Sequence, residues 1–286
     1  MARTKPLTLC IVFASLVMCA CAPPDKIQES AGLQQLKEGA SAGDVVSQYQ
    51  LGMYYTVQNR GDLDHSRAYQ WFLSAAGQGY ADAQYMVGMD KIVGRGTPYD
   101  QLGAIEYFRR AAVQGYARAQ YQLGKAYLDG AGVGKDKPWG RQWLEQAAWQ
   151  ENSEAQFLLG ALFAKGVGGH VNLAEAWRWL KHAEKNSQKQ AETALKNLEK
   201  RLSVQERKAG ERLLGQQEKV SAEDLYALPQ VRYVQTILNQ SGLSAGYEDG
   251  LVGPVTRAAV ADYVLKNNLP RDTQTLELVE PLRGNQ

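Results

Sequence analysis

The segment DGAGVGKD, from Asp129 to Asp136, gathers three glycines and a lysine in eight residues. Such a cluster could cradle phosphate. A phosphate loop has the form G-x-x-x-x-G-K-[ST], in which backbone N–H groups and the lysine hold phosphates and the hydroxyl holds magnesium. Counted back from Gly134 and Lys135, the first glycine position is Asp129 and the hydroxyl position is Asp136. A carboxylate there repels phosphate, and the nucleotide reading fails. A second candidate is GLSAG at 242–246, which fits the nucleophile elbow G-x-S-x-G. That chemistry needs a strand before Ser244, a helix after it and a histidine later in the chain. The pattern before Ser244 is helical, and the last histidine is His182, upstream. His65, His170 and His182 show no metal-ligand spacing, and no carboxylate pair stands out. No catalytic residue, metal or cofactor is expected.

The cysteines point elsewhere. Cys10, Cys19 and Cys21 are the only three, all at the N-terminus. Arg3 and Lys5 precede an uncharged apolar run from Leu7 to Ala20. That run is too short to span a bilayer comfortably and suits a secretory leader. It ends VMCAC, with small Ala20 just before Cys21. The stretch resembles a bacterial lipoprotein signal; the alternative is a plain secreted protein. The resemblance implies cleavage after Ala20 and diacylation of the Cys21 sulfur. Ala22 is not the aspartate associated with inner-membrane retention, so the expected place is the periplasmic face of an outer membrane. Lys and Arg number 32 against 30 Asp and Glu. Losing Arg3 and Lys5 brings the two to parity, which gives no electrostatic case for nucleic acid.

The rest of the chain must be read through its period. Gly52, Gly88, Gly124 and Gly160 are 36 residues apart. So are Ala75, Ala111, Ala147 and Ala183; Trp71, Tyr107, Trp143 and Trp179; and Tyr49, Tyr85, Tyr121 and Phe157. Each unit reads as two helices. In the third, ARAQYQLGKAYLDG places Ala119, Leu123, Ala126 and Tyr127 on one face, and PWGRQWLEQAAWQ opens on Pro138, a favoured first-turn residue. The aromatic ladders are expected to bind neighbouring units, since one helix pair cannot bury its own face. DGAGVGKD is then the turn inside one unit. Gly94, Gly130 and Gly166 hold equivalent places and are expected at positive φ.

These units resemble the Sel-one-like repeat, a relative of the tetratricopeptide repeat. The match rests on AQYQLGKAYLDGAGVGKD in unit three and AQFLLGALFAKGVGGHVNLAEAWRWLKHA in unit four. Unit two departs at Lys91, and unit one has VQNRGDLD in place of the glycine loop. The resemblance implies a scaffold that binds a protein partner. Trp139 and Trp149 align with small or polar residues of other units. They are expected either to form an exposed aromatic patch for that partner or to pack locally against capping helices.

Near the C-terminus the pattern changes. PQVRYVQTILNQSG has Pro229 at an expected helix start and a stripe of Val231, Val234, Ile237 and Leu238. After a turn at Asp249 and Gly250, Pro254 opens a helix with Ala259, Val260, Tyr263 and Val264 inward. Leu276 and Val279 are the inward residues of a last short helix. VRYVQTILN, DGLVGPVTRAAV and TLELV together resemble the peptidoglycan-binding-like domain, a three-helix module. Within the matching motif, Asp249, Gly250, Thr256 and Arg257 are the implied binding residues. Arg257 is the strongest contact candidate, because its fork suits stem-peptide carboxylates.

The expected fold is all-α, a solenoid of four 36-residue helix pairs followed by a small three-helix bundle. The expected order is a leader at 1–20, a lipidated tether and capping helix at 21–43, and repeats at 44–187. Capping helices follow at 188–215, a linker at 216–227 and the C-terminal module at 228–286. The expected function is a non-enzymatic adaptor in the outer membrane that binds peptidoglycan and a protein partner. The alternatives are an assembly factor whose module binds protein, and a cell-wall remodelling enzyme.

Overall fold

A computed structural model describes residues 31–58, 62–216, 222–245, 254–270 and 275–278. All regular structure among them is helical. Helix α1 (Ala31–Ser41) precedes four antiparallel pairs: α2 (Val45–Gln58) with α3 (Asp62–Gly77), α4 (Ala81–Val93) with α5 (Gln101–Val113), α6 (Ala117–Asp129) with α7 (Lys137–Trp149), and α8 (Ser153–Lys165) with α9 (Leu173–Lys185). Each pair packs on the next, so the pairs form a solenoid. Two further helices follow, α10 (Lys189–Glu199) and α11 (Val204–Gln216), both packed on α9. Ser203 and Glu206 start α11 with a reciprocal cap: the Ser203 N–H donates to Glu206 at 2.7 Å and the Glu206 N–H to the Ser203 hydroxyl at 3.2 Å. Then come α12 (Ala222–Gln240), α13 (Pro254–Lys266) and a 3₁₀ turn, Thr275–Leu278.

The turn that looks like a phosphate cradle closes one helix and opens the next. Gly130 caps α6 at φ 75°, its N–H donating to the Ala126 carbonyl at 2.8 Å. Asp136 caps α7, its carboxylate accepting the Trp139 N–H at 2.9 Å. Gly94 with Asp100 and Gly166 with Asn172 repeat this arrangement one period away on either side.

Inside each pair the tightest contact lies one residue beyond the ladder read from sequence. Phe72, Phe108, Leu144 and Leu180 are buried, each pressed on the repeat glycine of its own unit. A Cβ on Gly88 would stand 2.5 Å from Phe108 Cε1, and one on Gly124 2.7 Å from Leu144 Cγ. Trp71 and Tyr107 are only half-buried, whereas Trp143 and Trp179 are buried. Equivalent helix pairs recur every 36 residues, so every column of the repeat, inward or outward, keeps its face from unit to unit. The period alone therefore cannot say which column points inward.

The units are also joined by a polar column. Gln48, Gln84, Gln120 and Gln156 are buried and 36 residues apart. Each side-chain amide donates to a carbonyl at the end of the preceding helix, Ala40, Ala76, Ala112 or Ala148, at 3.0–3.4 Å. Each accepts from Gln78, Gln114, Gln150 or Asn186 at 2.8–3.0 Å. Buried amides satisfied in this way fix the stacking register, since any slip strands them without partners.

Candidate interaction surface

The second helices of the four units, α3, α5, α7 and α9, present comparable columns with different fates. On α5, Glu106, Arg109 and Arg110 stand in solvent and pair with one another. On α7 the same columns are Gln142, Glu145 and Gln146, and all are buried. Every residue of α7 from Trp139 to Ala148 is buried, because α6 and α8 cover one side and α12 covers the other.

Trp139 is 5% exposed. Its ring meets Tyr233 of α12 edge-on at 4.9 Å and Trp143 at 5.7 Å. Behind these rings lies a buried ionic cluster. Arg232 of α12 forks between Glu145 of unit three and Glu175 of unit four, at 3.1 Å to each. Arg178 pairs with Glu175 at 2.6 Å, Arg141 lies 3.7 Å from Glu145, and Arg141 donates to the Thr236 hydroxyl at 2.9 Å. Arg141 and Arg232 also sit over the Phe163 ring. Three guanidinium groups thus share two carboxylates in a water-poor space.

The pKa values of the two carboxylates are shifted in opposite directions. Burial pushes Glu145 above the ordinary carboxylate range, and Arg232 and Arg141 only partly offset it. Burial also pushes Glu175 upward, but Arg178 and Arg232 outweigh it and hold Glu175 below that range. Arg178 is shifted down by the same burial, with Glu175 opposing.

The exposed aromatic patch expected of Trp139 and Trp149 is corrected. Trp139 is covered by α12 of the chain itself, not by the helices that cap the repeats. Trp149 is half-buried between the Trp179 ring, edge-on at 4.9 Å, and the Arg178 guanidinium. The Gln column and the ionic cluster were not foreseen. The Gln column lay open to the same 36-residue count as the glycines. Arg141 carried its own signal, since the equivalent residues Tyr69, Ile105 and Trp177 are apolar and buried. Nothing local marks Arg232, whose partner Glu145 lies 87 residues away.

In the C-terminal module the apolar stripes Val231, Val234, Ile237, Leu238 and Ala259, Val260, Tyr263, Val264 are buried, with Leu278. The Leu276 side chain and Val279 lie outside the described set. Helix α12 begins at Ala222 and runs through Pro229, so Pro229 is not its start. The cost is one backbone hydrogen bond, borne by a helix packed on both sides. Thr256 is 2% exposed; its hydroxyl donates to the Ala245 carbonyl and accepts from Gln235, each at 3.0 Å. Thr256 is therefore an internal tie, which corrects its expected part in surface binding. Arg257 is exposed. Asp249, Gly250 and Cys21 lie outside the described residues. Ser244 follows a helix rather than a strand, so the elbow frame is absent there. It lines, with His170, an open cleft of about 1060 Å³ between the unit-four turn, α11 and the end of α12. Among the described residues no cluster of three His, Cys, Asp or Glu could hold a metal, and no helix is long and apolar enough to cross a membrane.

Residues 45–80, 81–116, 117–150 and 153–186 each match the Sel1 repeat family. The solenoid is built of Sel1 repeats. A Sel1 repeat protein from Oxalobacter formigenes is 33% identical over 58% of this chain and 48% of its own, with a TM-score of 0.53. The protective antigen c5321 of uropathogenic Escherichia coli, which displays an SLR fold, is 22% identical over 89% of this chain and 56% of its own, at TM-score 0.57. The second likeness shows the fold alone. The chain spans about half the length of each of these solved relatives. No curated protein matches the sequence.

Proposed function

We propose that this chain is a non-enzymatic adaptor of the bacterial envelope, acylated at Cys21 and held on the periplasmic face of the outer membrane. The Sel1 repeats take a protein partner and the C-terminal module takes peptidoglycan, with Arg257 as its contact and Asp249 and Gly250 shaping the motif. One observation carries the reading. Helix α12 joins the module to the second-helix face of repeats three and four, while the same face of repeats one and two stays in solvent. A load on the module is then transmitted to the solenoid, as an adaptor requires. The outer columns of α3 and α5 remain for the partner.

The test is co-sedimentation of the soluble 22–286 chain with purified sacculi. Binding that Arg257→Ala weakens about tenfold or more supports the reading, since a charge-assisted contact contributes roughly 1.5–3 kcal/mol. Protein left in the supernatant excludes it. The second reading, an assembly factor whose module binds protein, is favoured by the fact that α12 already engages protein, through Arg232 and Tyr233. Absence from sacculi with capture of a defined envelope complex would select it.

A further inference from the structure

Five large apolar side chains stand in solvent on one edge of repeats one and two. Val57 and Val93 lie at the ends of the first helices, Leu63 and Leu102 at the starts of the second ones, and Tyr99 in the turn just before α5; each is 63–77% exposed. Val57 with Val93 and Leu63 with Tyr99 are pairs one period apart. Gly96 of the unit-two turn packs on the His65 carbonyl of unit one, which sets that turn against the start of α3. One period further on, the columns change character: Val93 is replaced by Asp129, and Tyr99 by Lys135, both exposed. Val171 keeps the second column apolar in unit four but lies on the cleft beside α11. The apolar edge thus belongs to the first two repeats.

Helix α1 begins near this same edge. Gly43, Gly79 and Gly115, 36 residues apart, turn at φ 94°, 89° and 87°. Ala40 receives Gln48 as Ala76 receives Gln84. Helix α1 therefore stands where the second helix of a preceding unit would stand. Its first residues lie beside the first residues of α3, and Leu33 and Lys37 share a cavity of about 320 Å³ with Tyr55, Asp64 and Arg67. Cys21 is ten residues before Ala31. At 3.3–3.6 Å per residue its sulfur reaches at most about 35 Å from that point.

We propose that this turn edge of repeats one and two rests in the interfacial layer of the bilayer that holds Cys21, an inference that depends on acylation of Cys21. The chemistry suits that layer. Val and Leu at turn tips enter the acyl boundary, and Tyr99 places an amphipathic ring at headgroup depth. The neighbouring cations Lys91 and Arg95 are paired, with Asp100 at 2.8 Å and Asp90 at 2.6 Å, so the edge meets the bilayer through its apolar side chains rather than through these cations. Lipid and edge together fix the orientation of the solenoid, which a single point of attachment cannot.

The test uses the lipidated full-length protein on vesicles of phosphatidylethanolamine and phosphatidylglycerol. Cys10 and Cys19 leave with the leader and Cys21 carries lipid, so one introduced cysteine is the sole thiol. An environment-sensitive dye is placed at Leu102→Cys or, as the control, Lys135→Cys, and quenched by spin-labelled lipids; mass spectrometry reads Cys21. Quenching at 102 at least about twofold above that at 135 is the expected result. Equal quenching at both sites on a protein diacylated at Cys21 overturns the edge proposal alone. An unmodified Cys21 overturns the anchor and the edge together.

Discussion

Repeats one and two and repeats three and four share one backbone plan and differ in what lies on their second helices. On α5 the outer columns are charged and wet; on α7 the same columns hold Gln142, Glu145 and Gln146 beneath α12. The turn and stacking devices are common to both halves, because the caps and the Gln column recur in each. What separates the halves is a few substitutions, Gly103 to Trp139 at a partly exposed column and Ile105 to Arg141 at a buried one. Stacking is thus specified by the repeated residues, and docking by the residues that break the repeat.

The sharpest way to break the contrast is Arg232→Ala. It leaves Glu145 and Glu175 buried without the fork that joins them, at a cost of roughly 3–5 kcal/mol. Hydrogen exchange is expected to speed up in α12 and α7 and to stay unchanged in α2 to α5. Next is Gly88→Ala, which drives a methyl into the Phe108 ring. Urea unfolding is expected to show a loss of about 1–3 kcal/mol despite the better helix propensity of alanine. Gln84→Ala removes one hydrogen bond each from the Ala76 carbonyl and the Gln114 amide, which keep the Gly79 N–H and the Arg110 carbonyl, with an expected loss of about 0.5–1.5 kcal/mol by the same measurement. A smaller effect of opposite sign is expected at Glu151 and Ser187. They hold at φ 62° and 64° the turn that Gly79 and Gly115 hold in the first half. Glu151→Gly and Ser187→Gly are expected to raise stability by up to about 1 kcal/mol, read as a rise in Tm.

The smallest effect concerns acid pH. Asp44 is held low by Ser47, Asp100 by Lys91 and then the Gly103 N–H, and Glu206 by the Ser203 hydroxyl and N–H. Their folded pKa values lie below the ordinary 3.8 for Asp and 4.5 for Glu, so the unfolded chain binds protons first as the pH falls. The stabilisation is complete above that range and is lost as the pH drops through the depressed values. Circular dichroism melts are expected to show a small fall in Tm below about pH 4. Asp44→Asn, which keeps a capping side chain but does not titrate, should blunt it.

Much of this fold was legible before any coordinates, for a physical reason. A 36-residue repeat keeps every column in phase, so Gly94, Gly130 and Gly166 could be placed at left-handed turns from spacing alone. The inward column could not be chosen by spacing, and the ladder at Trp71 was placed one residue short of Phe72. The docking face was less legible still. Trp139 was marked as unusual, but its cover is Tyr233, ninety-four residues further on, and no local pattern joins the two. Pro229 misled because a proline often opens a helix, whereas α12 gains enough burial on both sides to run through it.

The most direct test of the docked arrangement is a distance between spin labels on its two halves. The 22–286 chain with Arg109→Cys and Leu265→Cys carries labels on exposed sites of α5 and α13. A single narrow distance distribution, broadened by Arg232→Ala, is the predicted result. A broad distribution in the protein with Arg232 intact would contradict the account, for the C-terminal module would then be tethered to the repeats rather than seated on them.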